Sequence, residues 1–258
     1  MSKVANRLAL ISLSGLFGLT MPDNANAEDL AVLSAAAVKA PVEIVPLLEN
    51  ARGNQVRFTF GTAGAMRDRA VNGTPFDVII VPPATMTELV KQNLVVESST
   101  RPLGVVRLGA AVAKGASYPD MSNQAAIKAA LLAAHSIGIA DPAKGATTGI
   151  YLTKLFGTMG IAEEIKPKLK LYPDGQQAME AVAKHEVAIA MGQISEAVKV
   201  AGLEPLMPLP DEIQLMSIYT AALATHTTHP TEAAQLIELM LGPETQASFK
   251  TNGFDPAQ

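Results

Sequence analysis

Residues 57–83 read RFTFGTAGAMRDRAVNGTPFDVIIVPP, and this stretch decides the fold. Val56, Phe58 and Phe60 alternate with Arg57 and Thr59 at a strand's period of two, and the small residues 61–64 break that alternation. A helix is predicted over 65–71, where no breaker occurs, and Gly73, Thr74 and Pro75 stop it. The run 77–81, DVIIV, then suits a parallel strand covered on both faces. With no bulky side chain at Gly61, Thr62, Ala63 or Gly64, the N–H groups at the start of the helix stay open to a ligand. The helix dipole favours a negative one. The same four residues equally suit a tight strand-to-helix connection without a ligand, so the loop alone leaves both readings open.

At the other end of the scale, the chain has 258 residues and a formal charge of −4. Lys3 and Arg7 precede an apolar run over 8–21, and Ala25, Asn26 and Ala27 form a small-residue cleavage signal, so residues 1–27 read as a secretory signal peptide. The apolar run is shorter than the roughly 20 residues of a membrane span, and Pro22, Asp23 and Asn24 follow it at once. The remaining chain suits one large domain or two lobes of about 100 residues each. It is expected to be soluble and exported. Zero cysteines exclude disulfides, thiolate metal sites, cysteine nucleophiles and a lipoprotein anchor. The acidic balance argues against a nucleic-acid partner, which wants a basic face, but not against a small anion held by local dipoles.

Taken in order, residues 29–33 form a short apolar strand that runs into Ser34, Ala35, Ala36 and Ala37 and then an amphipathic stretch toward Asn50, with Pro41 in the first turns of its helix. The strand, helix and strand of 57–83 follow. Pro82 and Pro83 then open a helix with Met86, Leu89 and Val90 on one face. This alternation predicts a mostly parallel sheet covered by helices. Residues 105–113 and 213–224, the second with Tyr219 near its middle, read as paired segments connecting two lobes. Between them the alternation repeats, with helices over 123–134, from Thr148, and over 175–185, and strands over 136–140, 169–172 and 187–191. Final helices are predicted over 232–241 and 244–250. The expected division is residues 28–108 with 221–258 for the first lobe and 109–220 for the second. No repeat and no low-complexity tract occurs.

Four loops of small residues follow predicted strands, at 34–37, 61–64, 145–149 (GATTG) and the end of the strand Met191, Gly192, Gln193. All should lie at the carboxyl ends of the two sheets, where open α/β folds bind ligands. Lys144 precedes Gly145, the reverse of the order a phosphate loop needs. His135, His185, His226 and His229 form no metal-ligand motif, and no serine-hydrolase pattern occurs. No cofactor or metal is expected. Arg67, three residues past Gly64, reads either as part of a solvated helix face with Asp68 and Arg69 or as the cation best placed to reach a ligand at that helix end.

The motifs VLSAAAVK, FTFGTAGAM with NGTPFDVIIV, ADPAKGATTGIY and the closing NGF together resemble the periplasmic molybdate-binding proteins of ABC importers. The resemblance covers essentially all of the chain beyond the leader. It implies an α/β fold of the type II periplasmic binding class, two lobes joined by a two-segment hinge. It further implies a tetrahedral oxyanion held in the cleft by N–H and O–H donors, and a monomer that hands its ligand to a membrane permease. Carried over, the two serine donors of the family fall on Ala37 and Ala63, with Ala36, Thr62 and Gly64 beside them. Backbone donors fall on Thr148, next to Thr147, and on Gly175, and Gln193 stands in the place of a tyrosine. Each lost hydroxyl facing a buried charge costs about 1.5 to 3 kcal/mol. Thr148 and Gln193 bring acceptors that only a ligand with its own O–H or N–H can use. Three readings follow. One is a binding protein for a molybdate-like or tungstate-like oxyanion, or for a small organic acid. The others are an exported enzyme, for which Asp141, Asp174 and Glu196 are the nearby carboxylates, and a ligand sensor without a permease.

Overall fold

The computed structural model describes residues 29–256; the signal-peptide reading of residues 1–27 falls outside them. Strands β1 (Asp29–Ala35), β2 (Gln55–Gly61) and β3 (Val78–Val81) pair in parallel in the order β2-β1-β3, with helices α1 (Val45–Asn50) and α2 (Ala63–Val71) in the connections. Helix α3 (Pro83–Lys91) leads to the eleven-residue strand β4 (Arg101–Ala111). A second unit of the same plan follows: α4 (Gln124–Ala133), β5 (Ile137–Ala140), α5 (Thr147–Thr158), α6 (Ala162–Ile165), β6 (Leu169–Tyr172), α7 (Gly175–Ala183) and β7 (Ile189–Gln193). Here β5 pairs in parallel with both β6 and β7, so the order is β6-β5-β7. After the short β8 (Met207–Pro208), strand β9 (Met216–Leu223) returns the chain to the first unit, where α8 (Pro230–Leu241), α9 (Pro243–Thr251) and β10 (Phe254–Asp255) end it.

Two antiparallel strands join the halves. Between Arg101 and Arg107, β4 pairs with β9, and from Leu108 to Ala111 it pairs with β7, so one strand serves both sheets. On its other side β9 pairs with β3. This is the two-segment connection expected from 105–113 and 213–224, except that β4 begins earlier, at Arg101, because an irregularity between Pro102 and Gly104 absorbs the proline's missing donor.

The core explains the continuous apolar runs. In β3, Val78 and Ile80 face one cluster with Leu30, Val32 and Tyr219, while Ile79 and Val81 face another with Leu33, Met66 and Leu89. A strand covered on both sides has no solvent face to make polar. The second unit repeats this, with Ile137, Ile139 and Met191 toward Phe156 on one side and Ala190 toward Met179 and Val182 on the other. No described helix is long and apolar enough to cross a membrane.

Helix starts follow local chemistry. Thr62, Asn123 and Asp174 each accept a backbone N–H in the first turn of α2, α4 and α7, and Pro230 and Pro243 open α8 and α9. The single helix expected up to Asn50 is instead two 3₁₀ turns, Ala36–Val38 and Pro41–Ile44, followed by the six-residue α1. Pro46 accounts for the break, since it lacks the N–H that would bond Val42 in a continuous α-helix.

Candidate ligand-binding site

The carboxyl ends of β1, β2, β5, β6 and β7 point toward one another across the gap between the halves. From the first half come Ala35, Ala36 and Ala37 after β1, and Thr62 and Ala63 after β2. The second half supplies Ala146, Thr147 and Thr148 at the start of α5, Asp174 and Gly175 at the start of α7, and Gln193 and Glu196 after β7. Tyr219, from the connecting strand β9, completes the wall. Neither the 3₁₀ turn after β1 nor α5 has a side-chain cap, so their first N–H groups lack the partner that α2 and α7 obtain from Thr62 and Asp174.

The two halves are shut. Gly64 donates its N–H to the Gly145 carbonyl at 3.1 Å, and the Thr62 hydroxyl donates to the Lys144 carbonyl. Glycine is required at both rim positions, because a Cβ on either would lie 2.6 Å from the other's Cα. Farther out, Lys199 pairs with Glu43 at 2.6 Å and Lys39 donates to Gln176 at 3.4 Å. The cavity between them measures about 20 Å³, room for little more than a water molecule.

Glu196 sets the electrostatics. As a residue it is half-buried, but its carboxylate is packed inward, accepting the N–H of Gln193 at 3.0 Å and that of Gly175. Burial drives its pKa up to about 7; the two N–H donors oppose the rise and the charge of Asp174 adds to it. Gly175 makes this packing feasible, since a Cβ there would sit 1.9 Å from a carboxylate oxygen of Glu196. Burial, and then the charge of Glu196, push the Tyr219 phenol upward, so it stays protonated. Gln193 is buried, donates Nε2–H to the Ser217 hydroxyl at 2.7 Å, and leaves Oε1 with no partner among the described residues.

The structure thus gathers Ala36, Ala37, Thr62, Ala63, Thr147, Thr148, Gly175 and Gln193 around one cavity. Gly64 stands at the rim, bonded to Gly145. Arg67 does not join them: its guanidinium donates to Asp68 and to Glu88 at 3.0 Å on the outer face of α2. The helix turns its small residues Ala63, Gly64 and Ala70, with Met66, inward, and that rotation carries Arg67 away. The carboxylates divide as well. Glu196 and Asp174 line the cavity, whereas Asp141 caps a turn by accepting the Ala143 N–H. Glu196 was expected only as a nearby carboxylate of the enzyme reading, not among the ligand-binding residues, and Tyr219 was not expected at the site. The pair of residues Gln193 and Glu196, spaced as a capping box, was the available sign of the first. Tyr219 carried no local signal beyond its place in a connecting segment.

The family model for bacterial extracellular solute-binding proteins matches residues 30–255, and the chain belongs to that family. Among characterised relatives, it is 28% identical over 236 residues to an aconitate isomerase from Pseudomonas sp, covering 88% of this chain and 87% of that one. It is 22% identical over 227 residues to the molybdate-binding protein ModA of Escherichia coli (strain K12), covering 86% of each. Among solved structures, the periplasmic molybdate-binding protein of Azotobacter vinelandii superposes with a TM-score of 0.77 at 18% identity, over 89% of this chain and all of that one. The fold is that of the type II periplasmic binding proteins, as the motifs implied.

Proposed function

We propose that the protein is an exported binding protein whose cleft takes a small organic acid and delivers it, as a monomer, to a membrane permease. The observation that carries this reading is the Glu196 carboxylate inside the cavity, already bonded to two of the N–H groups an anion would use. A tetrahedral oxyanion such as molybdate presents charged oxygens on every side, one of them toward Glu196. Two like charges about 5 Å apart repel by about 3 kcal/mol at an effective dielectric constant near 20. An organic acid carries its charge at defined ends. Its carboxylates can face the N–H groups of Ala37, Ala63 and Thr148 while a carbon chain or hydroxyl faces Glu196, Gln193 and Tyr219.

Other features support the same choice. Ala37 and Ala63 offer no hydroxyl to a bare oxyanion, and the free Oε1 of Gln193 suits a ligand that brings its own O–H. The similarity to a protein named for aconitate, an unsaturated tricarboxylic acid, points toward carboxylic acids as well. In this reading the lobes are residues 28–108 with 221–258 and residues 109–220, and they close by rotation where β4 and β9 cross.

A thermal-shift screen tests it. Molybdate, tungstate, sulfate and phosphate are compared with cis-aconitate, citrate, tricarballylate, malate and succinate. A true ligand at 100 times its Kd adds about 2.7 kcal/mol of stability. A rise in melting temperature with at least one acid and none with the oxyanions is expected; a rise with molybdate alone overturns the reading.

A further inference from the structure

We propose that Glu196 is a proton-transfer residue, and that the cleft moves the carbon–carbon double bond of a bound unsaturated carboxylic acid. This rests on the small-acid reading of the cleft and adds chemistry to it. The geometry carries it. At the first residue of α7, Gly175 lacks the Cβ that would lie 1.9 Å from Oε2 of Glu196, and Gly192 in β7 lacks one that would lie 3.1 Å from it, so helix start and strand leave room for this one carboxylate. The Gln193 N–H fixes its direction at 3.0 Å, and the carboxylate forms part of the cavity wall. A surface cap would need neither the cavity nor the glycines.

The rest of the cavity lining offers what the reaction needs next. The uncapped start of α5 and the turn after β1 present N–H groups to the substrate's carboxylate, where negative charge grows during proton removal. The buried Oε1 of Gln193 has no partner among the described residues and can accept from a donor on the ligand. The bonds of Thr62 and Gly64 hold the two halves together at the rim.

The step balances without a co-reactant. Glu196 removes a proton from a CH₂ group that lies between a carboxylate and a C=C bond. The C–H electron pair spreads over the allylic carbons and the carboxylate. The neutral Glu196 acid then returns the proton to the far allylic carbon, and the double bond has shifted by one position with no change of oxidation state. A carboxyl with a pKa of about 7 is half ionised at neutral pH, the condition a general base of this kind requires.

The test uses cis-aconitate in D₂O with the intact protein, followed by proton NMR alongside the melting shift. The expected result is a change of double-bond isomer with deuterium entering at carbon, slowed at least about 100-fold in Glu196→Gln, a variant that still folds and whose melting shift is at least as large as the parent's because the like charge facing the ligand is gone. Glutamine can still accept the Gln193 N–H but cannot take the proton. A melting shift with no isomerisation and no deuterium uptake, or a Glu196→Gln variant as active as the parent, overturns the inference and leaves the binding reading standing. No shift with any acid of the panel overturns the binding reading, and the inference falls with it.

Discussion

Glu196 is held where a carboxylate is costly, and the cost has a sign. Its pKa rises from 4.5 in the free side chain to about 7 in the folded chain. Between those values the folded form binds more protons than the unfolded one, so stability is fullest below pH 4.5 and falls as pH climbs through 7. The loss is on the order of 3 kcal/mol or less above pH 7. Glu196→Gln removes the charge and keeps the shape. It should therefore melt higher than the parent at pH 8 and close to it at pH 5, read by calorimetry; an equal gap at both values would show that the carboxylate is not desolvated. Gly175→Ala puts a Cβ 1.9 Å from that carboxylate and should lower stability by about 1 to 3 kcal/mol, the usual cost of overpacking, with chemical denaturation as the measurement. The sequence showed the small residues of the site plainly, because Ala36, Ala37, Ala63 and Thr148 sit in loops that local pattern identifies. Glu196 stood in the sequence only as a nearby carboxylate; its contact with Gly175, 21 positions away, is made by the fold alone.

At the level of elements, what decides the site is which strand ends meet. The alternation of strands and helices was readable because strands buried on both faces, such as β3, must be continuously apolar. Rotation of a helix was not, since α2 is nine residues long and its inward face is chosen by the packing of Met66 and Ala70. For that reason the sequence left Arg67 open between a solvated face and the ligand end of the helix, and the structure puts it with Asp68 and Glu88 on the outer face. Nor could spacing show that Pro41 and Pro46 would divide the first helix into 3₁₀ turns. The rim contact between α2 and the turn before α5 makes its own prediction. Gly64→Ala should raise intrinsic helix stability by about 0.5 to 1 kcal/mol, yet its Cβ would meet the Gly145 Cα at 2.6 Å. Ligand affinity should fall at least about tenfold while the melting temperature without ligand holds or rises. An unchanged affinity by calorimetric titration would mean that this rim does not close on the ligand.

For the whole molecule, two units of like topology share the strands β4 and β9, and the cleft is the place where their strand ends face. The outer ion pair of Lys199 with Glu43 is exposed on both sides, so it contributes less than about 1 kcal/mol to closure. Closure is governed instead by what lies inside, and a charged acid closing near Glu196 must raise that group's affinity for a proton. Isothermal titration with the acid that gives the largest melting shift, repeated at pH 7 in two buffers of different ionisation enthalpy, measures this directly. Uptake of up to about half a proton per acid bound is expected, because Glu196 starts half ionised at that pH. Binding without proton uptake, or molybdate binding more tightly than every acid, would contradict a cleft in which the charge of the bound acid lies near the Glu196 carboxyl group.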